Sequence, residues 1–169
     1  MAAPDPVGRP PSSPRHKAVL CLGSNIDPVI NMQRAAALLR NHVYVSALSS
    51  CVEAEAIGTV GPNFLNMAAM IETDLDAQEI KTQVIGAIEQ ALGRVRTADK
   101  YAPRTIDIDI VVFDGDVLDQ TLWKRAYIAL TCGELLPGLT HPETGELISQ
   151  VAARLSERQM VVPRPDLRF

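Results

Sequence analysis

The 169-residue chain is expected to fold as one α+β domain, an antiparallel sheet with helices packed on one of its faces. Three observations predict this. Short apolar runs bounded by turn residues alternate with two longer stretches of helical periodicity. The resulting order is strand, helix, strand, strand, helix, strand. A composition of 47% hydrophobic against 21% charged residues is enough to bury a core.

Residues 1–17 hold Pro4, Pro6, Pro10, Pro11 and Pro14 and no apolar run, so they read as a disordered leader, neither signal peptide nor anchor. The folded domain is assigned to residues 18–169. Residues 18–22 form a buried strand that stops at Gly23-Ser24-Asn25, a group with turn chemistry. Asp27 suits an N-cap and Pro28 the first helical position, and Val29, Met32, Ala36 and Leu39 then recur on one face of a helix. Residues 43–51 alternate as a second strand, a loop follows near 58–63, and residues 64–72 make the third strand. Asp76 with Glu79 predicts a capping box, opening a helix with Ile80, Val84, Ile88 and Ala91 on its apolar stripe and Gly93 at its end. A polar, basic loop over 94–104 leads into a fourth strand at 106–113, closed by the Asp114-Gly115-Asp116 turn. Residues 147–155 read as one more short helix. The βαββαβ order is that of the ferredoxin-like sandwich.

Several function classes drop out. A net charge of −4 supplies no general field for nucleic acid, and 4% aromatic residues supply no stacking platform. No apolar run approaches the roughly 20 residues needed to span a bilayer. Cys21, Cys51 and Cys132 lack metal-ligand spacing and read as core thiols, which suits a cytoplasmic protein. His16, His42 and His141 read as surface or capping residues.

The chemistry is concentrated between Arg94 and Ile110. On a strand, Ile106, Ile108 and Ile110 point to the core while Asp107 and Asp109 emerge together on the opposite face. Aspartate is disfavoured in strands, and two like charges on one face repel unless a cation compensates. Such a pair can contribute oxygens to one hydrated Mg²⁺ or straddle two ions. Arg94, Arg96, Lys100 and Arg104 lie close by in sequence, and guanidinium groups bind phosphate oxygens in pairs. Acids and bases together suggest a nucleotide polyphosphate site.

The segment Lys100-Tyr101-Ala102-Pro103-Arg104-Thr105-Ile106-Asp107-Ile108-Asp109-Ile110-Val111 resembles the signature of the 6-hydroxymethyl-7,8-dihydropterin pyrophosphokinases. The similarity extends back through Glu89, Gly93-Arg94 and Phe64-Leu65-Asn66 to Gly23-Ser24-Asn25, in the family's order. The resemblance implies transfer of pyrophosphate from ATP, the co-substrate, to a hydroxymethyl-dihydropterin, leaving AMP, on the route to folate. It implies two Mg²⁺ ions on Asp107 and Asp109, phosphate contacts from Arg94 and Arg104, and a nucleotide site including Glu89, Arg96 and Lys100. It also implies a pterin bound by Asn66, with Phe64, Tyr101, Tyr127 and Ile57 lining the pocket. Neither nucleic acid nor membrane is an expected partner, and a monomer or weak homodimer suffices.

Two departures stand out. The family's Pro-His segment after the Asp strand has no counterpart between Leu118 and Arg125, although an Arg-x-aromatic pair survives as Arg125-Ala126-Tyr127. Where the family shows Thr-x-Pro, this chain reads Ala54-Glu55-Ala56-Ile57, with Glu55 expected to be exposed. The alternatives are a weakened or inactive pterin- or nucleotide-binding relative, or a pyrophosphokinase for a modified pterin.

Overall fold

The computed structural model describes residues 16–58, 60–99 and 101–169. Most of the expected leader, and Lys100, lie outside the described residues. His16 and Lys17, assigned to the leader, instead open strand β1 (His16–Ser24). They join it because both have partners on the neighbouring strands' ends. His16 Nδ1 lies 2.6 Å from Asp114 Oδ2, and Lys17 Nζ lies 3.7 Å from Glu72.

Helix α1 (Pro28–His42) starts where Pro28 predicts, and Met32, Ala36 and Leu39 are buried. Asp27 does not act as the expected side-chain cap. Its backbone is left-handed, with φ 41° and ψ 52°, and its carboxylate makes no cap bond. Asn31 instead secures the turn from inside the helix, donating through Nδ2 to the Ile26 carbonyl at 2.7 Å.

The expected second strand is two strands, β2 (Tyr44–Leu48) and β3 (Val52–Ala54). Both pair with the same edge of the long β4 (Phe64–Thr73). Ser49 breaks the ladder between them by placing its hydroxyl 2.8 Å from the Ala68 amide, which donates to it.

The capping box forms as expected. The Glu79 amide donates to Asp76 Oδ1 at 2.8 Å, and the Asp76 amide to Glu79 Oε2 at 2.9 Å. The helix it opens is not uniform: α2 (Ala77–Glu79) passes into a π-helical stretch, Ile80–Ile85, and then α3 (Gly86–Ala91). The wider turn changes the phase of the apolar stripe. Ile80, Val84 and Ile88 are buried as predicted, but Leu92 takes the place expected for Ala91, which is exposed.

Strand β5 (Asp107–Phe113) and β6 (Asp116–Val117) form a hairpin whose two-residue turn has positive φ at both Asp114 and Gly115. The chain then runs through a 3₁₀ turn at Gln120–Trp123 into α4 (Ala126–Leu135), α5 (Ile148–Ser156) and the short β7 (Val161–Pro163). The antiparallel sheet has the order β6-β5-β1-β4-β3-β7, with β2 also beside β4.

One face of the sheet carries Leu20, Leu22, Leu65, Met67, Ile71, Ile106 and Ile108, packed under α1 and the helix around Ile80–Ile88, as the βαββαβ reading requires. The C-terminal helices add a second cluster on the other face. Val19, Cys21, Ala68, Val111 and Val112 meet Leu122, Ile128, Ala129, Cys132, Ile148 and Val151 there. The register of β1 on β5 slips between Val19 and Leu20, so both Val111 and Val112 join this second cluster. That cover stops short of the end of the sheet where β5 begins. All three cysteines are free and buried, as expected of core thiols.

Candidate active site

The uncovered end of the second face is built by strand register. Gly23 of β1 stands opposite Asp107 of β5 on one side and Asn66 of β4 on the other, while Cys21 stands opposite Asp109. Directly opposed residues share a face, so Asp107, Asp109, Asn66 and Phe64 all point into one opening. The bare Gly23 is what keeps it open, since a Cβ there would lie 2.9 Å from Asn66 Oδ1.

Asp107 and Asp109 have different surroundings. Arg94 Nη1 donates to Asp107 Oδ1, and Arg104 Nη1 donates to its Oδ2 at 2.6 Å. Arg94 also donates to Glu89 Oε1 at 2.7 Å, and Arg96 to Glu89 Oε2 at 2.8 Å. Glu89 is thus a buried acid whose two oxygens orient two guanidinium groups. Burial opposes the Arg94 charge, but Asp107 and Glu89 outweigh it and hold its pKa up. Among the described residues its buried Nε has no hydrogen-bond partner.

Asp109 reaches solvent at the cleft mouth and makes no ion pair among the described residues. The surrounding protein, then Asp107 and Asp119, push its pKa from 3.8 to about 6. Arg94 opposes the shift without cancelling it. Among the described residues no three acidic, His or Cys side chains converge to hold an ion unaided. Two carboxylates fit Mg²⁺, which keeps waters and phosphate oxygens in its remaining positions.

Three cavities meet at these acids. A cleft of about 230 Å³ is lined by Phe64, Asn66, Tyr101, Tyr127 and Ile57, together with Arg104, Asp107 and Asp109. A groove of about 980 Å³ runs from Asp107 and Asp109 past Glu89, Arg94 and Arg96 to Lys81, Ile85, Gly86, Ile110 and Leu118. A third hollow, about 420 Å³, lies among Arg94, Arg96, Arg104 and the two acids. The described residues expected at the site are therefore brought together.

The loop that carries Ile57 and the basic loop lean on each other. Gly58 has φ +76°, and a Cβ there would fall 2.6 Å from the Tyr101 ring. Asn25, buried at the end of β1, ties both loops to the sheet. Its Nδ2 donates to the Pro62 carbonyl at 3.3 Å, and its Oδ1 accepts from the Arg104 amide at 2.8 Å. Glu55 is exposed, as expected, and lies on the wall of the smaller cleft.

Sequence reasoning missed Asp119 and gave Arg125 no role, yet both line that cleft. Asp119 accepts from the Thr121 amide at 2.9 Å and its hydroxyl at 2.7 Å, capping the 3₁₀ turn. An acid two residues before a threonine was the available signal. His141 accepts amides in a turn, as expected of a capping residue.

Residues 19–137 match the family described as 7,8-dihydro-6-hydroxymethylpterin-pyrophosphokinase. The chain belongs to that family. The 2-amino-4-hydroxy-6-hydroxymethyldihydropteridine pyrophosphokinase of Aquifex aeolicus is 30% identical over 133 residues, covering 73% of this chain and 82% of that one. The enzyme of the same description from Pseudomonas aeruginosa is 28% identical over 149 residues, 81% of this chain and 91% of the other. The fold is shared with the crystal structure of wild-type Plasmodium falciparum HPPK-DHPS, at a TM-score of 0.66 and 14% identity, over 85% of this chain. This chain spans only 42% of that larger one. As a pyrophosphokinase of this family, it is an ATP-dependent diphosphotransferase that transfers the pyrophosphoryl group of ATP to hydroxymethyldihydropterin in folate synthesis. Among the described residues no helix is long and apolar enough to cross a membrane.

Proposed function

We propose that Asp107 and Asp109 hold two Mg²⁺ ions at the junction of the three cavities, with the pterin in the smaller cleft and ATP along the larger groove. The observation that carries this reading is that the same two carboxylates line every one of those cavities. Bound there, Mg²⁺ would neutralise charge on the phosphate oxygens and keep the polyphosphate in place.

The chain's own residues account for the rest. Arg94, Arg104 and Arg125, which line these cavities, offer guanidinium donors to the phosphates. Glu89 aims Arg94 and Arg96; Lys100, outside the described residues, is kept as a phosphate contact on the strength of its charge and its place in the basic loop. Ile85, Ile110 and Leu118 provide apolar surface for the base, with Lys81 and Gln78 at the rim.

In the smaller cleft, Phe64 and Tyr127 present ring faces to the pterin, Asn66 supplies an amide to its edge, and Ile57 and Tyr101 close the wall. Asp107 and Asn66 are separated by two strand spacings, about 10 Å, the reach of a bicyclic ring with a hydroxymethyl arm. The hydroxymethyl oxygen then faces the β-phosphorus. An O–P bond forms there as the bond from the β-phosphorus to the bridging oxygen breaks; AMP leaves with that oxygen, and the hydroxyl proton passes to solvent at the open cleft. No protein nucleophile is needed, because holding and neutralising the reactants is the main task.

Three buried free thiols suit a reducing compartment such as the cytoplasm.

Incubation with ATP, Mg²⁺ and 6-hydroxymethyl-7,8-dihydropterin, followed by nucleotide chromatography, tests the reading. AMP and dihydropterin pyrophosphate should appear in equal amounts. ADP as the product would indicate single-phosphoryl transfer and refute it.

A further inference from the structure

The wall of the smaller cleft at Ala54–Ile57 leaves the sheet from β3, a strand of three residues. So short a strand holds a wall weakly unless its outer edge is covered. Here β7 covers it: Val52, Glu53 and Ala54 pair with Pro163, Val162 and Val161, and the Arg164 amide donates to the Cys51 carbonyl at 2.9 Å.

Side chains add a second tie. Glu53 Oε1 accepts from Asn63 Nδ2 at 2.9 Å, and its Oε2 accepts from Arg164 Nη1 at 2.8 Å. Arg164 is braced in turn by Asp166, with Nε 3.0 Å from Oδ1 and Nη2 2.8 Å from Oδ2. Asn63 immediately precedes β4, so Glu53 joins the two stems of the connection that carries the wall. The Asn63 and Arg164 bonds hold the Glu53 carboxyl below its ordinary range, so the tie is fully charged at neutral pH. Among the described residues that line the cleft, neither Glu53 nor Arg164 appears.

We infer that Glu53 and Arg164 are positioning residues for the pterin, fixing from the outer edge of the sheet both stems of the loop whose Glu55–Ile57 segment walls its cleft. The inference rests on the assignment of that cleft to the pterin. Without the guanidinium, Glu53 keeps Asn63 as its one partner among the described residues, and backbone bonds are what still hold β3 to β7. The wall then loses its fixed place while Asp107, Asp109 and the basic loop keep theirs. Pterin binding weakens equally in the ground and transition states, which raises KM for the pterin and leaves kcat unchanged.

Steady-state kinetics with 6-hydroxymethyl-7,8-dihydropterin and MgATP on the full chain, with melting temperatures alongside, make the test. Arg164→Ala should raise the pterin KM about fivefold, the size of a partly exposed charge-assisted hydrogen bond, with kcat and the ATP KM within about twofold. Glu53→Gln is isosteric and still accepts from Asn63, so it should shift the pterin KM in the same direction without threatening the fold. The double variant should be no worse than Arg164→Ala, and Arg164→Lys should recover part of the loss. An unchanged pterin KM in Glu53→Gln and Arg164→Ala, with only the melting temperature lowered, would overturn the inference. So would an equal loss in kcat. A wild-type chain that forms no AMP from this pterin would remove the cleft assignment itself, a result separate from any shift between variants.

Discussion

Two ends of one sheet face differ in what lies over them. At one end Val19, Ala68, Val111 and Val112 are sealed under α4 and α5. Toward the other end of the same strands the face carries Gly23, Asn66, Asp107 and Asp109 and lies open. Cys21 sits on the boundary, packed in the apolar cluster yet touching the cleft, and burial first, then Cys132 and Asp109, push its thiol pKa up. The site is therefore made less by adding a domain than by ending the helical cover early and placing carboxylates where it ends. The closed half contributes stability through burial, and the open half sacrifices some of it, because Asp109 lies beside Asp107 and Asp119 without an ion pair of its own among the described residues.

Among substitutions that leave the paired acids in place, the largest expected effect falls on the open half. Arg104→Ala should lower kcat/KM by about 10²–10³-fold, the range for removing one preorganised charge donor, with the melting temperature nearly unchanged. Next comes the closed half. Leu122→Ala empties a fully buried position and should destabilise the fold by about 2–4 kcal/mol in urea titrations, while the pterin KM of the folded fraction stays as it was. If Arg104→Ala unfolded the protein, or Leu122→Ala shifted KM, the two halves would not be separable.

A smaller effect should come from Gly58→Ala. Its φ of +76° and the Tyr101 ring at 2.6 Å from the new Cβ should cost about 1–2 kcal/mol and raise the pterin KM, measured as for the wild type. The smallest concerns pH. The folded chain keeps the Asp109 proton up to about 6, whereas the unfolded chain loses it near 3.8. Folding thus binds the proton between those values, and the metal-free fold loses stability as pH rises through that window. Asp109→Asn removes this loss. After discounting for solvent screening at the cleft mouth, it should raise the melting temperature near pH 7.5 by roughly 2–4 °C, the response to about 1 kcal/mol in a chain of this size, and leave it unchanged near pH 4. A lower melting temperature at neutral pH would show that Asp109 is not strained.

Much of this was legible in the sequence because local chemistry decides it. The Asp76 and Glu79 box, the Asp-Gly hairpin turn and the alternation that turns Asp107 and Asp109 away from Ile106 and Ile108 each need only a few neighbouring residues. What was not legible depends on distant ones. Helix α4 is apolar around most of its circumference, because the sheet and α5 both bury it, so it shows no stripe to read. Leu92 replaces Ala91 in the core because of a π turn that no periodicity of 3.6 anticipates. Ser49 splits a strand by bonding to Ala68, 19 residues away. Asp119 and Arg125 reach the cleft only through the fold of the C-terminal helices, and the role of Glu89 as a holder of two arginines needed its burial to be known.

The central claim is that the paired acids on β5 work on ATP and the pterin together, and it is tested most directly by the single-turnover rate of AMP formation in Asp109→Asn against wild type, at saturating Mg²⁺ and both substrates. The account predicts a fall of at least about 10³-fold in a chain that melts no lower than wild type. A rate within tenfold of wild type would contradict it.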